Sequence, residues 1–203
     1  MASPARVFGS HALARFAEMA EQIAGSDGAR VPGHRRIALL NGPEGLAFTS
    51  QREAAFRRVL GLRGIAVPAR FVGHDEMSEE LGHRRAAEML GQAQRPTAFV
   101  CSSTLQALGV MRAAREAGLH VPADLSIIAH DDVLPHLRSE HFAPALTVTR
   151  SPIRDAGAAL AEMIVKRIGG ADPRTLQRIV PADLIVRAST GAAPKGGAEP
   201  WRQ

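Results

Sequence analysis

Four short apolar runs recur along the first two thirds of this chain, and each ends at a cluster of polar residues. The runs lie roughly thirty residues apart, which is the spacing of βαβ units. Such units build a parallel sheet that is covered by helices and that holds its ligands at the carboxyl ends of the strands. We therefore expect the polar clusters to share one edge of a sheet. The runs are 36–40 before Asn41, 69–72 before His74 and Asp75, 98–101 before Ser102 and Ser103, and 125–129 before His130, Asp131 and Asp132.

Helical patterns separate these runs and predict an α/β fold, a parallel sheet flanked by helices. Gly118 stands where a left-handed residue ends the helix that precedes it. Further strands are predicted at 146–149, 178–180 and 184–186, and the tail 191–203, rich in glycine, alanine and proline, is predicted to be disordered. The predicted helix starts are Ser10, Ser50 in a capping box with Glu53, Ser78, Thr104, and Ser151 before an N1 proline at Pro152.

The composition excludes several classes of protein. With 45% apolar content in 203 residues, the chain can bury a core, and no stretch is apolar for long enough to cross a bilayer. The amino terminus leads into no secretion signal, so the cytoplasm is the expected location. The single cysteine, Cys101, excludes an internal disulfide. The net charge of +5 comes from arginines scattered over predicted helix faces, a pattern typical of a solvated surface rather than of nucleic-acid contact.

Four segments resemble the effector-binding region of LacI/GalR-type transcriptional repressors. They occur in the order of that family, over about residues 11–190. Val121–Ile128 before Asp131 and Asp132 resembles the most recognisable signature of the family. The other segments are Gly33–Pro43 with Arg52 nine residues beyond it, Pro96–Cys101 leading to Ala107–Arg112, and Pro181–Thr190.

The resemblance implies a periplasmic-binding-protein-like body of two α/β subdomains with an effector between them. Residues 10–148 and 177–190 would form the carboxyl-terminal subdomain, and 149–176 would cross over into an incomplete amino-terminal one. No segment matches the helix-turn-helix of the family, its hinge helix or its first βα units, so the chain is expected to be a truncated regulator. The apolar face of the helix at 152–168 would then lack its partner sheet, which predicts reduced stability and a tendency to associate.

The candidate ligand-binding residues follow from the strand ends and the resemblance together. Asp131 ends a buried strand and can accept hydrogen bonds from adjacent hydroxyls, while Arg52 can donate several from a rigid fork. Both match the pair of residues that binds the hydroxyl groups of a polyol ligand in the family. The alternatives are that Asp131 only caps a turn and that Arg52 is only a surface residue. Ser103 stands where the family often has asparagine or aspartate, and either binds the ligand or caps the helix. Met77 stands where the family often has an aromatic platform, and this departure weakens the case for a sugar.

Other chemistry finds little support in the sequence. The histidines and carboxylates at 130–141 (His130, Asp131, Asp132, His136 and His141) match no metal-site spacing, so no metal site and no cofactor are predicted. Cys101 is expected to be buried packing. Asn41 and Asp75 are expected to be structural turn residues. The sequence contains no nucleophile elbow, phosphate-binding loop or dinucleotide-binding motif, so no catalytic residues are predicted.

The leading interpretation is the effector-sensing and dimerising portion of a LacI-type regulator, with a sugar or a nucleoside as ligand. The resemblance places a homodimer surface on the helices that begin near Ser78 and Thr104 and on the loop 133–145, and DNA would be bound only through the absent helix-turn-helix. The alternatives are a solute-binding protein of a transporter, a nonfunctional truncated regulator, and an α/β enzyme that uses Asp131, His130 or Ser103.

Overall fold

The computed structural model describes residues 9–25, 33–131, 134, 136–178 and 182–195, with the side chains of residues 9–16 and of Asp131 excepted. Helices and strands alternate along this part of the chain. The helices are α1 (Gly9–Ala24), α2 (Ala47–Leu62), α3 (Glu79–Leu90), α4 (Thr104–Glu116) and α5 (Ile153–Ile168). The strands are β1 (Ile37–Asn41), β2 (Val72–His74), β3 (Ala98–Cys101), β4 (Ser126–Asp131), β5 (Thr147–Arg150) and β6 (Asp183–Ile185).

The six strands form one sheet in the order β2-β1-β3-β4-β5-β6, which confirms the predicted fold class. Neighbouring strands from β2 to β5 pair in parallel, and only β6 is antiparallel. In this order β2 lies on one side of β1, and β3 lies on the other side, so the direction of the chain across the sheet reverses after β2. Because crossovers between parallel strands are right-handed, this reversal puts α2 on one face of the sheet and α3 and α4 on the other. Helix α1 packs against α2 and so lies on the same face as α2.

The core lies between the central strands and these helices. Every residue of β1 and β3 is buried, as expected for parallel strands that are covered on both faces. Helix α2 contributes Phe56 and Leu60 from one side, and α4 contributes Ala107 and Val110 from the other. The uninterrupted apolar runs of the sequence are therefore the strands of a three-layer α/β sandwich.

Several local predictions were wrong in detail. Helix α2 begins at Ala47 rather than Ser50, and no capping box forms because Ser50 and Glu53 lie inside the helix. The second strand is displaced to Val72–His74, since residues 69–71 form a 3-10 turn. Helix α5 begins one residue late, with Pro152 itself at the N-cap. Arg178 lies outside any strand, while 179–181 of that predicted strand fall outside the described residues.

Other local predictions are confirmed. The Ser78 hydroxyl accepts a hydrogen bond from the Leu81 amide and caps α3. Gly118 has φ +70° just after α4. The predicted connector strand at 146–149 is β5, which pairs with β4. Helix α1 begins at Gly9, and the Ser10 side chain is outside the described residues.

Helices α3 and α4 approach each other unusually closely, and two glycines make this possible. A Cβ atom at Gly109 would lie 2.2 Å from the carbonyl oxygen of Glu79 and 2.4 Å from the amide nitrogen of His83. A Cβ atom at Gly82 would lie 2.6 Å from the carbonyl oxygen of Gln106. Backbone atoms occupy these positions, so no side-chain rotation can make room.

We predict that Gly109→Ala lowers the free energy of unfolding by about 1–3 kcal/mol, the cost of overpacking a well-packed interface. Gly61→Ala is the matched control, since Gly61 lies in α2 with no atom within 4 Å of its added Cβ. Alanine there should raise the free energy of unfolding by about 0.5–1 kcal/mol. Urea denaturation of the two variants measures both values, and equal effects would contradict the close approach of α3 and α4.

At the amino-terminal edge of the sheet, a buried histidine ties the strands to the end of the chain. The His34 Nδ1 atom lies 2.9 Å from Thr97 Oγ1, and its Nε2 atom lies 3.0 Å from Ser126 Oγ and 3.2 Å from the carbonyl oxygen of Gly191. The Gly191 amide also donates to Ser126 Oγ at 3.0 Å. Gly191, predicted to begin a disordered tail, is therefore anchored to the sheet, while 196–203 lie outside the described residues.

Burial lowers the pKa of His34 to about 4, so the ring is neutral in the folded protein. The unfolded chain takes up a proton near pH 6.5 and the folded chain does not. Stability is therefore full above pH 6.5 and should fall by about 3 kcal/mol as the pH drops to 4. Chemical denaturation between pH 7 and 5 measures the part of this decrease in the free energy of unfolding that falls in that pH range. His34→Gln should abolish that part of the pH dependence, and the exposed control His120→Gln should leave it unchanged.

Helix α5 follows β5 in the chain, and β6 pairs antiparallel with β5. Ala159 is its one buried residue, and five of its large apolar side chains are exposed by 44–82%. These five are Ile153, Leu160, Ile164, Val165 and Ile168. Within the part of the chain that the structure describes, these side chains stay exposed, and a missing partner sheet for the helix stays a prediction. The division into two subdomains stays a prediction.

We predict that the exposed face of α5 makes the chain self-associate at high concentration. Light scattering coupled to size-exclusion chromatography should show a mass that rises with concentration, and L160Q/I164Q should suppress the rise. Leu62→Gln is the control, because Leu62 is 79% exposed but lies on α2. A mass that stays that of one chain at every concentration, with a sharp two-state melt, would contradict this account.

Candidate functional site

The carboxyl ends of β1, β2, β3 and β4 meet at one edge of the sheet. Asn41 at the end of β1 pairs with His74 at the end of β2, and Leu40 pairs with Cys101 at the end of β3. Cys101 in turn pairs with Ala129 of β4, two residues before Asp131. The register therefore brings the polar clusters of the sequence to a common edge, as predicted.

Asn41 is fully buried and organises this edge through four hydrogen bonds. Its side-chain nitrogen, Nδ2, donates to the carbonyl oxygen of Thr49 at 2.9 Å, and its side-chain oxygen, Oδ1, accepts from the Gly42 amide and from Ser102 Oγ. Its own carbonyl oxygen accepts from Gln106 Nε2 at 2.9 Å. These bonds join β1 to the first turn of α2, to the end of β3 and to α4. Asn41 is a structural residue, as expected.

Two of the four predicted ligand-binding residues lie together. The Arg52 guanidinium is 4.0 Å from the Met77 sulfur, and its central carbon lies 4.8 Å over the ring of Phe48. All three side chains are partly exposed. A guanidinium stacked on an aromatic face is oriented by the ring, and its N–H groups donate hydrogen bonds from the edges of the plane. This cluster, Arg52 with Phe48 and Met77, is called the arginine platform below.

Phe48 was not among the residues that the sequence analysis identified as candidates. Because the helix start was assigned to Ser50, Phe48 was not placed in the predicted helix. With the helix beginning at Ala47, Phe48 and Arg52 are four residues apart on one face of α2, which is the spacing of contacting side chains. A correct helix start would have identified this aromatic partner from the sequence.

The other two candidates have different outcomes. Ser103 is buried at the N-cap of α4, where its hydroxyl accepts a hydrogen bond from the Leu105 amide at 3.1 Å. This bond accounts for the residue structurally, and a role in binding stays a prediction. The backbone of Asp131 ends β4 and pairs with Arg150 of β5, but its side chain lies outside the described residues. The topology thus brings Asp131 to the same edge as the arginine platform.

A cavity of about 470 Å³ lies beside the first turns of α2, next to the end of β2. In its wall the Glu53 carboxylate accepts from Arg57 Nε at 2.6 Å and lies 2.9 Å from His74 Nε2. The Arg57 guanidinium also donates to the carbonyl oxygen of Val67 at 2.6 Å. The charges in this wall are therefore fixed by each other. The sequence analysis did not identify this cavity, because Glu53 was assigned to a capping box.

The other singled-out residues have structural roles. Asp75 accepts from Arg85 Nε at 2.6 Å, as expected for a structural residue. His130 places its Nδ1 atom 3.0 Å from Thr149 Oγ1. Cys101 is fully buried, and burial raises the pKa of its thiol far above the ordinary value, which agrees with packing rather than with nucleophilic chemistry.

Ionic contacts fix the segment that leads into β5. Glu140 lies 2.7 Å from Arg138, 3.6 Å from Arg150 and 3.9 Å from Arg187. A backbone hydrogen bond and then Arg138 lower the pKa of Glu140 to about 2, so its carboxylate stays charged. Arg150 and Arg187 also donate to the buried Ser139 hydroxyl. The residues next to the carboxyl edge at β5 are therefore held in one arrangement.

The described residues offer neither a metal site nor a membrane-spanning helix. None of their groups of histidine, cysteine, aspartate and glutamate side chains is arranged to hold a metal ion. Asp132, which belonged to the rejected metal cluster, is outside that part of the chain. None of the helices described is long and apolar enough to span a membrane.

A parallel sheet whose carboxyl edge carries a guanidinium, an apolar platform and a neighbouring cavity is the architecture of a small-molecule-binding domain. The sequence matches the family model of the periplasmic binding protein-like domain over residues 30–190. The chain therefore belongs to this family, in the form that occurs in LacI-family transcriptional regulators.

Known regulators are similar to most of this chain. The HTH-type transcriptional regulator AglR of Rhizobium meliloti is 46% identical over 162 residues, which cover 80% of this chain and 46% of AglR. A LacI-family regulatory protein from Chloroflexus aggregans is 29% identical, with a TM-score of 0.79 over 89% of this chain and 62% of that one. The transcriptional regulator CelR, in complex with cellobiose, is 25% identical, with a TM-score of 0.72 over 88% of this chain and 51% of CelR. The chain spans about half the length of the curated relatives it matches.

Proposed function

We propose that this chain is the effector-binding portion of a cytoplasmic LacI-type transcriptional regulator, and that it binds a small polar ligand such as a sugar or a nucleoside. The observation that carries the proposal is the arginine platform at the carboxyl edge of the sheet. The relatives are transcriptional regulators rather than enzymes, which supports a binding role without catalysis.

The chemistry of the platform suits a ligand with hydroxyl groups and an apolar ring face. The guanidinium of Arg52 donates hydrogen bonds only, so it fits hydroxyl oxygens, while the Asp131 carboxylate accepts from hydroxyl hydrogens. Phe48 and Met77 add apolar surface next to these polar groups. Sugars and nucleosides present both kinds of surface. The cellobiose complex of CelR supports a sugar in a related protein.

A regulator must also transmit binding to DNA. A ligand changes the balance of two conformations only if it binds them with unequal affinity, and closure between two subdomains around the ligand supplies this difference. In the proposal, DNA is contacted through a helix-turn-helix domain that does not belong to the residues described above. Helices α3 and α4, with the loop 133–145, are proposed as the surface of a homodimer.

The proposal is tested by nuclear magnetic resonance on protein labelled with ¹³C at its methionine methyl groups. A titration with pentoses, hexoses and nucleosides should shift the Met77 signal, because the Met77 sulfur contacts Arg52. The signals of Met19 and Met89, which are buried in the core, should stay in place. This method reports weak binding, so it is suited to a chain that spans half of its relatives.

Arg52→Gln should weaken binding of the active ligand by about 10- to 100-fold, because it removes hydrogen bonds from a charged donor. Arg58→Gln is the matched control, since Arg58 lies on the exposed side of the same helix. The control should bind as the unmodified chain does. A Met77 signal that none of these compounds moves, or an Arg52→Gln variant that binds normally, would overturn the proposed function.

A further inference from the structure

Met77 of the arginine platform lies three residues beyond β2, which is an edge strand of the sheet. β2 consists of Val72–His74, and among the described strands it pairs with β1 alone. An edge strand is bonded to the sheet on one side only. Side-chain contacts therefore have a larger part in fixing where the turn after β2 places Met77.

Three polar side chains tie both ends of this strand to α2. At the end of β2, the His74 Nε2 atom lies 2.9 Å from the Glu53 carboxylate of α2. Before β2, the carbonyl oxygen of Val67 accepts a hydrogen bond from the Arg57 guanidinium at 2.6 Å. Arg57 Nε also donates to Glu53 at 2.6 Å, so Glu53 contacts both partners. The group of Glu53, Arg57 and His74 is called the Glu53 network below.

The Glu53 network and the arginine platform join the same two segments of backbone. Glu53 follows Arg52 in α2, and His74 precedes Met77 by three residues. The Glu53–His74 contact at 2.9 Å therefore stands beside the Arg52–Met77 contact at 4.0 Å. A shift of β2 away from α2 breaks the first contact and separates the second. Such support is needed in a binding site, because side chains that are displaced by about 1 Å bind their ligand poorly.

His74 makes its contact with the network through one ring nitrogen. The Glu53 carboxylate only accepts, so the Nε2 atom that faces it carries the hydrogen. The other nitrogen, Nδ1, is buried and has no hydrogen-bond partner among the described residues. The side chains of Glu53 and His74 are only 24% and 20% exposed, so this charge-assisted hydrogen bond is screened less than one at the surface.

We propose that Glu53 and His74 are positioning residues of the effector site. Their contact holds Met77 against Arg52, and neither side chain needs to touch the ligand. This inference rests on the proposed function.

The test distinguishes the two ring nitrogens of His74. A glutamine side chain can place its amide nitrogen near the position of Nε2, whereas an asparagine side chain reaches only to Nδ1. His74→Asn should therefore lose the contact and bind the ligand about tenfold more weakly, the size of one charge-assisted hydrogen bond. His74→Gln should keep the contact and bind as the unmodified chain does. The affinities are measured by the Met77 methyl titration with ribose, glucose and adenosine.

The matched control for His74→Asn is His83→Asn. The His83 side chain is also 20% exposed, and its Nε2 atom also faces a carboxylate, that of Glu116 at 2.6 Å, but this pair joins α3 to α4. His83→Asn should lower the melting temperature and leave ligand affinity unchanged.

A second variant tests the carboxylate itself. Glu53→Gln should also weaken binding about tenfold, because its amide nitrogen cannot accept a hydrogen bond from Arg57 or from His74. Glu80→Gln, at an exposed position near the start of α3, removes the same charge and should bind as the unmodified chain does.

The Met77 methyl signal of the chain without ligand gives a further readout. His74→Asn and Glu53→Gln should shift this signal, while His74→Gln and His83→Asn should leave it in place. Weaker binding by His74→Asn that is restored in His74→Gln supports the positioning role. Undiminished affinity in His74→Asn and Glu53→Gln, or an equal loss in His74→Asn and His74→Gln, overturns that role and leaves the proposed function standing. If none of the three compounds moves Met77 in the unmodified chain, the proposed function fails and the positioning role fails with it.

Discussion

The buried side chain of Asn41 is the interaction on which the carboxyl edge of this sheet depends. Its amide and its carbonyl group bond to α2, to the end of β3 and to α4, so the elements that carry the candidate site are held by one residue. A buried amide that is bonded to three separate elements specifies a single arrangement, since any shift leaves several polar groups unpaired. The position of α2, and with it of Arg52, Phe48 and Thr49, follows from this arrangement.

The two edges of the sheet treat their buried polar groups differently. At the amino-terminal edge, His34, Thr97, Ser126 and Gly191 satisfy one another, and this network closes the chain onto the sheet. At the carboxyl edge, the Thr49 hydroxyl and His74 Nδ1 are left without partners among the described residues. Unpaired buried groups lower stability, so the two atoms at the carboxyl edge are a local cost that the amino-terminal edge does not carry.

The sequence predicted the fold well because the strands are continuous apolar runs. The runs 37–40, 98–101 and 127–129 are buried, as expected for parallel strands that are covered on both faces. The start of α2 was predicted less accurately than the strands. The capping-box pattern of Ser50 and Glu53 predicted a start at Ser50, but the helix begins at Ala47, directly after the turn at 44–45. That error removed Phe48 from the helix and assigned Glu53 to a cap, so the aromatic platform and the cavity were both missed. Contacts such as that of Glu53 with His74 join distant segments and leave no local pattern in the sequence.

The central claim is that the strand ends form one ligand site at the carboxyl edge. It is tested most directly by mapping backbone amide chemical shifts of the ¹⁵N-labelled chain at saturation with the ligand that moves Met77. The account predicts that the perturbed amides follow β1, β2, β3 and β4, within 42–53, 75–78, 102–104 and at Asp131. Perturbations centred on His34 and Gly191 at the opposite edge, or on the exposed face of α5, would contradict it.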